Sequence, residues 1–325
     1  MKLLTYRTNK LEAHQIGVLQ NQLIYSLNNC FGDISLVELI QINNYQEKIA
    51  SFISNEDCLK HDINNITILP AIPKPTSFRD AYAFREHVAT ARKNRGAEMI
   101  AEFDQFPTFY FSNHNAMVGD RQEIELMPDH FHRLDYELEF AIVIGKGGKN
   151  ILSKNADKHI GGFCILNDLS ARELQMEEMK FNLGPAKGKD FANVLGPYLV
   201  TPDELENKSI DTPLGKKYNL QMKCFVNGEL LSEGNAKDMD WTFAEIIERA
   251  SYGVELFPGD IIGSGTVGSG CLLELNGSGK ALDPDYKEQW LKAGDEIEMQ
   301  IEGLGKITNN LIKMDTNHSL LKLKK

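Results

Sequence analysis

Residues 135–145 read DYELEFAIVIG, and this stretch limits the folds open to the chain more than any other. Two carboxylates, Glu137 and Glu139, stand at the alternation period of a strand that then turns wholly apolar. Residues i and i+2 of a strand face the same side, with roughly 7 Å between their Cα atoms. Two like charges therefore stand side by side at the mouth of a buried sheet, where an unpaired charge is costly. A cation between them removes that cost. A hard divalent ion is the simplest candidate, because such ions gather carboxylates from converging segments. Glu123 and Glu125 have the same spacing, but they sit in the polar, turn-like GDRQEIELMPD and read as solvated residues of an edge strand.

Around that strand the chain divides in two. A length of 325 residues gives two units at about 150 residues per domain. The break falls at LPAIPKPTS, residues 69–77, where three prolines interrupt any helix. Residues 1–72 then form a small N-terminal domain, with strand-like patches at 15–19 and 23–26 and helical patterns at 35–42 and 45–54. Residues 73–325 form the larger domain. Its short strand-like segments lie at 109–111, 137–144, 161–166, 198–201, 220–226, 261–263, 272–275 and 295–301. Helical patterns occur at 80–93, 171–179 and 242–252. Strands dominate without regular alternation with helices, which argues for an α+β fold around a mixed, rolled β-sheet and against a doubly wound parallel one.

The hydrophobic and charged fractions, 42% and 25%, are those of a soluble globular protein. A formal net charge of −11 argues against nucleic acid or an anionic membrane as partner. The longest basic run is the tail at 322–325. The apolar patch near the N-terminus is too short for a signal peptide, and no run of about 18 apolar residues occurs, so a cytoplasmic location is expected. The five cysteines, Cys30, Cys58, Cys164, Cys224 and Cys271, form no C-x-x-C pair and read as small buried apolar side chains.

Four other places carry chemistry. In SFRDAYAFREH, Asp80 and His87 are seven residues apart, two turns of one helix face. GGFCILNDLSARELQ runs a strand into Asp168, a strand end facing a helix start, where ligands and N-caps both occur. Glu274, in the apolar CLLEL, is a buried acid that needs a partner. Residues 263–268 fit G-x-G-x-x-G, yet a strand pattern follows where a dinucleotide site needs a helix, so the loop reads as one that approaches a ligand with its backbone.

Taken in order and at these spacings, SFRDAYAFREH, RLDYELEFAIVIG, ILNDLSARELQ, GPAKGKDF and GTVGSGCLLEL resemble the fumarylacetoacetate hydrolase family over roughly residues 75 to 305. The resemblance implies that family's β-roll and one divalent cation, Mg²⁺ or Ca²⁺ with Mn²⁺ also compatible, held by Asp80, Glu137, Glu139 and Asp168. It implies His87 as general base, Glu274 as the carboxylate that orients it, and Lys189, not Lys187, as the cation balancing developing negative charge. An imidazole ordinarily titrates at about 6.5, which suits proton transfer from water at neutral pH. Tyr82, Gln175 and Thr266 match substrate contacts, whereas Arg172 reads as structural. Asp80 followed by the histidine resembles the fumarylacetoacetase branch more than the acylpyruvase and decarboxylase branch.

Three positions depart from that branch. Met179 stands where it has a tyrosine, Asn193 where it has a threonine, and Gly96 where it has a substrate-binding arginine, so Arg95 or Arg92 must serve. The implied activity is metal-dependent carbon–carbon hydrolysis of a small β-diketo acid, foremost fumarylacetoacetate to fumarate and acetoacetate in tyrosine and aromatic catabolism. Its alternatives are an acylpyruvate hydrolase, an oxaloacetate decarboxylase, or a hydratase or isomerase of meta-cleavage routes; a different class is a catalytically silent metal- or ligand-binding protein. A homodimer is implied by resemblance alone.

Overall fold

The computed structural model describes residues 1–9, 13–54, 58–94 and 96–323. Its centre is the strand Leu138–Ile144, buried at all seven residues, as the apolar run demands. It pairs antiparallel with Ile160–Asp168 on one side and with Asp260–Gly263 on the other. Beyond Asp260–Gly263 lies Ser77–Ala81 in parallel, and Phe109–Phe111 closes that edge. In the opposite direction the sheet passes through Leu199–Val200 to Lys2–Arg7, Gln15–Gln20, Leu23–Ser26 and Lys60–Asp62. This sheet has 13 strands among the described residues, and a second sheet of five includes Gln221–Val226, Glu229–Asn235, Glu296–Ile301 and Gly305–Lys313. The β-dominated, mixed architecture expected from the sequence is the one that forms.

Alternation along the central strand sorts side chains into two cores. Phe140, Ile142 and Ile144 join Phe163, Ile165 and the helix residues Phe243, Ile246 and Ile247. Ala141 and Val143 face the other way, with Cys164, Leu166 and the N-terminal residues Leu3, Ile16, Leu36, Leu39 and Ile49. Each large side chain so buried contributes about 1.5–3 kcal/mol. Described residues of the N-terminal stretch thus pack against one face of the central strand, and the pairs Lys2↔Val200 and Leu3↔Leu199 stitch its first strand into the sheet. Within the larger core the Phe140 and Phe243 rings meet edge to face at 4.9 Å, the arrangement that ring quadrupoles favour.

Several local expectations are overturned. Residues 80–93 are not one helix: Asp80 lies on the strand Ser77–Ala81, and the helix spans Arg85–Lys93. Strand pairing on both sides of Ser77–Ala81, with Phe78 and Ala81 buried, outweighs the local helical period. Residues 272–275 are not a strand but the start of the helix Leu272–Leu282. Asp168 is not a helix cap; it ends its strand, and the helix Arg172–Met179 begins without a side-chain cap. Cys30 is exposed, whereas the other four cysteines are buried, and all five are free thiols. By contrast Phe243–Ser251 forms where expected, closed by a capping box between Thr242 and Glu245. Glu123 and Glu125 are exposed beside the edge strand Ile124–Leu126. Among the described residues no helix is long and apolar enough to cross a membrane.

Candidate active site

Neighbouring strands deliver the acidic groups to one end of the large sheet. Asp168 is the last residue of its strand, Glu139 stands opposite Leu166 on that strand, and Asp80 lies between Gly263 and Tyr110. Glu137 precedes the central strand, with its N–H on Asn167 Oδ1 at 3.1 Å. Carboxylate oxygens of Asp80, Glu137, Glu139 and Asp168 all lie within 4.8 Å of one another, and all four residues are buried. Gly263 leaves room for the Asp80 carboxylate, since a Cβ there would stand 2.3 Å from Asp80 Oδ1 and displace it. Gly265, at φ +77°, turns its N–H onto Asp80 Oδ1 at 3.2 Å and Glu139 Oε2 at 3.1 Å. The glycine motif therefore addresses carboxylates with its backbone. A helix does follow it, but only from Leu272, so the strand reading was wrong while the exclusion of a pyrophosphate cradle holds on this geometry.

Two buried cations answer the acids. Lys189 Nζ donates to Asp168 Oδ2 at 2.6 Å and to Glu137 Oε2. Arg172 spans Glu137 Oε1 at 2.7 Å and Asp135 Oδ2 at 2.7 Å, and donates to Gln175 Oε1 at 3.0 Å. Against burial, Lys189 and Arg172 together hold Glu137 well below the usual carboxylate range. The other three go the opposite way. Burial and the nearby Asp168 push Asp80 up to about 7, burial and Asp80 push Glu139 far up, and burial with Glu137 raises Asp168. Lys189 is raised by Asp168 and Glu137 in spite of its burial.

Counting Asp135, five buried carboxylates face two buried cations. Asp168 Oδ1 is buried with no hydrogen-bond partner. An all-oxygen donor set, surplus negative charge and an orphaned carboxylate oxygen fit a hard divalent cation held by Asp80, Glu137, Glu139 and Asp168.

His87 sits in the first turn of Arg85–Lys93 and Glu274 in the first turn of Leu272–Leu282. His87 Nδ1 and Glu274 Oε1 are in hydrogen-bond contact, and both residues are buried. Ser269 N–H at 3.1 Å and Cys271 Sγ at 3.6 Å fix the same carboxylate. With Nδ1 donating to Glu274, Nε2 carries the lone pair. Asp135 accepts the N–H groups of Leu272 at 2.7 Å and Leu273 at 3.0 Å, so one carboxylate anchors both the Glu274 helix and Arg172.

A cavity of about 650 Å³ brings these groups together: Asp80, Glu137, Glu139, His87 and Lys189 line it. That volume suits a small ligand. Tyr82, Gln175 and Thr266 also line it, with the Tyr82 ring edge-on to His87 at 5.4 Å and Thr266 Oγ1 donating to Glu139 Oε1 at 3.3 Å. Asp168 stands behind Lys189 and Tyr110, which both donate to it. Arg92 lines the cavity, whereas Arg95 lies outside the described residues. Met179 lines it as well; Asn193 is instead buried in a strand with its amide on Asn113 O at 3.3 Å. Lys187 is exposed and pairs with Asp190.

Sequence reasoning passed over Asp135 and Tyr110, while Arg172, read as structural, is the buried partner of Asp135 and Glu137. Asp135 carried a signal, since an acid two residues before Glu137 adds a like charge to the same buried end. Tyr110 carried none.

Comparison with known proteins places these residues in a wider set. The family described as fumarylacetoacetate (FAA) hydrolase C-terminal matches residues 76–312. An uncharacterised protein of Staphylococcus aureus (strain USA300) is 29% identical over 330 residues, covering 96% of this chain and 100% of its own length. Fumarylacetoacetate hydrolase from the psychrophile Exiguobacterium antarcticum superposes with a TM-score of 0.71 at 24% identity, covering 97% of this chain and 100% of its own. Maleylpyruvate hydrolase from Sphingobium sp. SYK-6, solved with manganese(II) and pyruvate, gives 0.72 at 18% identity, covering 96% and 99%. These two structures share the fold.

Proposed function

The chain belongs to the fumarylacetoacetate hydrolase family, whose members bind a divalent metal, and on that footing we propose that it hydrolyses a carbon–carbon bond of a small β-diketo acid, fumarylacetoacetate being the first candidate. One observation carries this reading: a single cavity is lined by Asp80, Glu137 and Glu139 of the acidic cluster and by a histidine whose far nitrogen is held by a buried carboxylate. Decarboxylation or enolisation has no need of a water-activating pair.

When bound, the cation supplies Lewis acidity toward a substrate carbonyl and stabilises enolate charge. His87 Nε2 takes the proton of a water molecule whose oxygen bonds to the electrophilic carbonyl carbon. Glu274 keeps Nδ1 protonated and stabilises the imidazolium formed. The carbon–carbon bond then breaks, its electron pair leaves with the carbanion fragment, and His87 returns the proton to that carbon. Lys189, anchored on Glu137 and Asp168, places a fixed positive charge at the cavity wall against the anion developing on the leaving fragment. Gln175 and Thr266 orient the substrate oxygens.

Met179 favours a second reading within the family. It puts a thioether where the fumarylacetoacetase pattern has a phenol, so an acylpyruvate is the next substrate class. The same proposal takes Mg²⁺, Ca²⁺ or Mn²⁺ as the ion and the protein as a cytoplasmic homodimer; light scattering tests the assembly. The deciding experiment follows loss of the diketone chromophore with added metal, for fumarylacetoacetate, acetylpyruvate and oxaloacetate, with wild type and His87→Ala. Loss of fumarylacetoacetate by wild type alone is expected. Cleavage of acetylpyruvate with fumarylacetoacetate untouched overturns the substrate, and metal binding without turnover of any of the three overturns the hydrolase.

A further inference from the structure

Lys189 is delivered by a segment that leaves the helix Arg172–Met179 and returns along its side. Gly188 O accepts the N–H of Ala171 at 2.9 Å, and a Cβ on Gly188 would stand 2.6 Å from Gln175 Cα. Lys189 N–H closes a turn on Ala186 O at 2.9 Å. One carboxylate of the helix clasps this turn. Glu178 accepts three successive backbone N–H groups, from Ala186 at 2.9 Å, Lys187 at 2.6 Å and Gly188 at 3.2 Å. Convergent amides on an ionised acceptor make charge-assisted bonds, roughly twice as strong as neutral ones.

Glu178 neither lines the cavity nor pairs with any of the four clustered acids. Its spacing is informative all the same. Arg172, Gln175 and Glu178 recur at intervals of three along one helix. The first holds Glu137, the second lines the cavity, and the third fixes the turn that ends in Lys189. Lys189 must then reach two carboxylates held by different segments, Asp168 at the end of its strand and Glu137 just before the central one. A drift of its backbone by an ångström would break one contact or the other.

We propose that Glu178 is a positioning residue for Lys189: its carboxylate fixes the three amides that precede the lysine and so sets where the ammonium stands against Glu137 and Asp168. The consequence for catalysis rests on the hydrolase reading above, but the consequence for metal affinity does not. Lys189→Met removes a positive charge beside the acidic cluster and is expected to tighten Mn²⁺ binding. Glu178→Gln keeps shape and one acceptor oxygen but presents an NH₂ group to a backbone amide.

The test is a double-mutant cycle read by Mn²⁺ calorimetry on the full chain, with kcat and KM measured in parallel. Glu178→Gln should shift the Mn²⁺ dissociation constant in the direction of Lys189→Met by about threefold or more, and should add nothing in the Lys189→Met background. With an active substrate, kcat should fall by about tenfold at nearly constant KM. Glu178→Asp, which keeps the charge at shorter reach, should fall between, and it serves as the reporter if the glutamine variant does not fold. Equal effects of Glu178→Gln in both backgrounds, or unchanged Mn²⁺ affinity in the single variants, overturns the proposal. Failure of every diketo acid to react leaves the Mn²⁺ cycle decisive, so the two readings fail separately.

Discussion

Glu137 and Glu139 are two residues apart on the chain and reach opposite electrostatic ends. Lys189 and Arg172 keep Glu137 ionised, whereas Glu139 meets other carboxylates and only neutral donors, Gly265 N–H and Thr266 Oγ1. Glu139→Gln should therefore weaken Mn²⁺ binding by about 100-fold or more while leaving the metal-free protein as stable as wild type or more so at neutral pH, since folding no longer has to protonate a carboxylate that its neighbours repel. Calorimetry and thermal denaturation in EDTA check both halves; a less stable metal-free variant would refute the account of Glu139. For the dyad, Glu274→Gln should lower kcat by about 10²–10⁴ through loss of tautomer control, with Mn²⁺ affinity unchanged. The pair Glu137 and Glu139 and the lone Glu274 were legible because charged residues in apolar runs demand partners, whereas Asp80, Asp168, His87 and Lys189 were singled out through the family resemblance. The pairing of Arg172 with Glu137, and of Tyr110 with Asp168, was not legible, because such pairs are set by which strands lie side by side.

Elements were less legible than residues, and for a common reason. CLLEL reads as a strand at 272–275, yet it opens a helix that runs on through two glycines, because Asp135, 137 positions before Leu272, accepts its first free N–H groups. Ser77–Ala81 is likewise a strand because its neighbours are strands on both sides. Phe243–Ser251, behind Thr242 and Glu245, carried its own start signal and was readable in place, as were the uncapped Arg172–Met179 and Tyr45–Ile53 from their helical pattern. The two kinds of helix start differ in what they hold. Thr242→Ala removes a local cap and should cost about 1 kcal/mol. Asp135→Asn leaves the N-terminus of the Glu274 helix without an anionic acceptor and Arg172 with Glu137 as its remaining carboxylate, and should cost about 3–5 kcal/mol. Chemical denaturation of both variants checks the ranking; an Asp135 variant no worse than the Thr242 variant would mean that the helix is held by packing alone.

At the scale of the molecule, the large sheet makes the metal centre and global stability one problem. Asp80, Glu139 and Asp168 stand on strands of one sheet, with Glu137 just before the central strand, and that sheet also carries N-terminal strands, so repulsion at its end acts on the whole fold. That the chain is β-rich and mixed could be read from the irregular run of strands. That Lys2–Arg7 joins the sheet through Leu199–Val200 could not, since a two-residue strand leaves no pattern. The linkage has a definite sign. Asp80, at about 7, and Glu139 and Asp168 all titrate higher in the folded protein than a carboxylate does when unfolded, at about 4. A raised folded value means that the native state holds protons the unfolded chain has released. The resulting stability is complete below about pH 4 and is lost as pH rises through the folded values, near 7 for Asp80. A divalent ion takes the place of those protons, so its stabilising effect grows over the same window as theirs fades. Thermal midpoints in EDTA and in excess Mn²⁺ should lie close together at pH 5 and diverge by several degrees by pH 8, with protons released on Mn²⁺ binding in weakly buffered solution. A metal-induced shift that is the same at both pH values would show that these carboxylates are already ionised in the empty centre, and that something other than protons balances them.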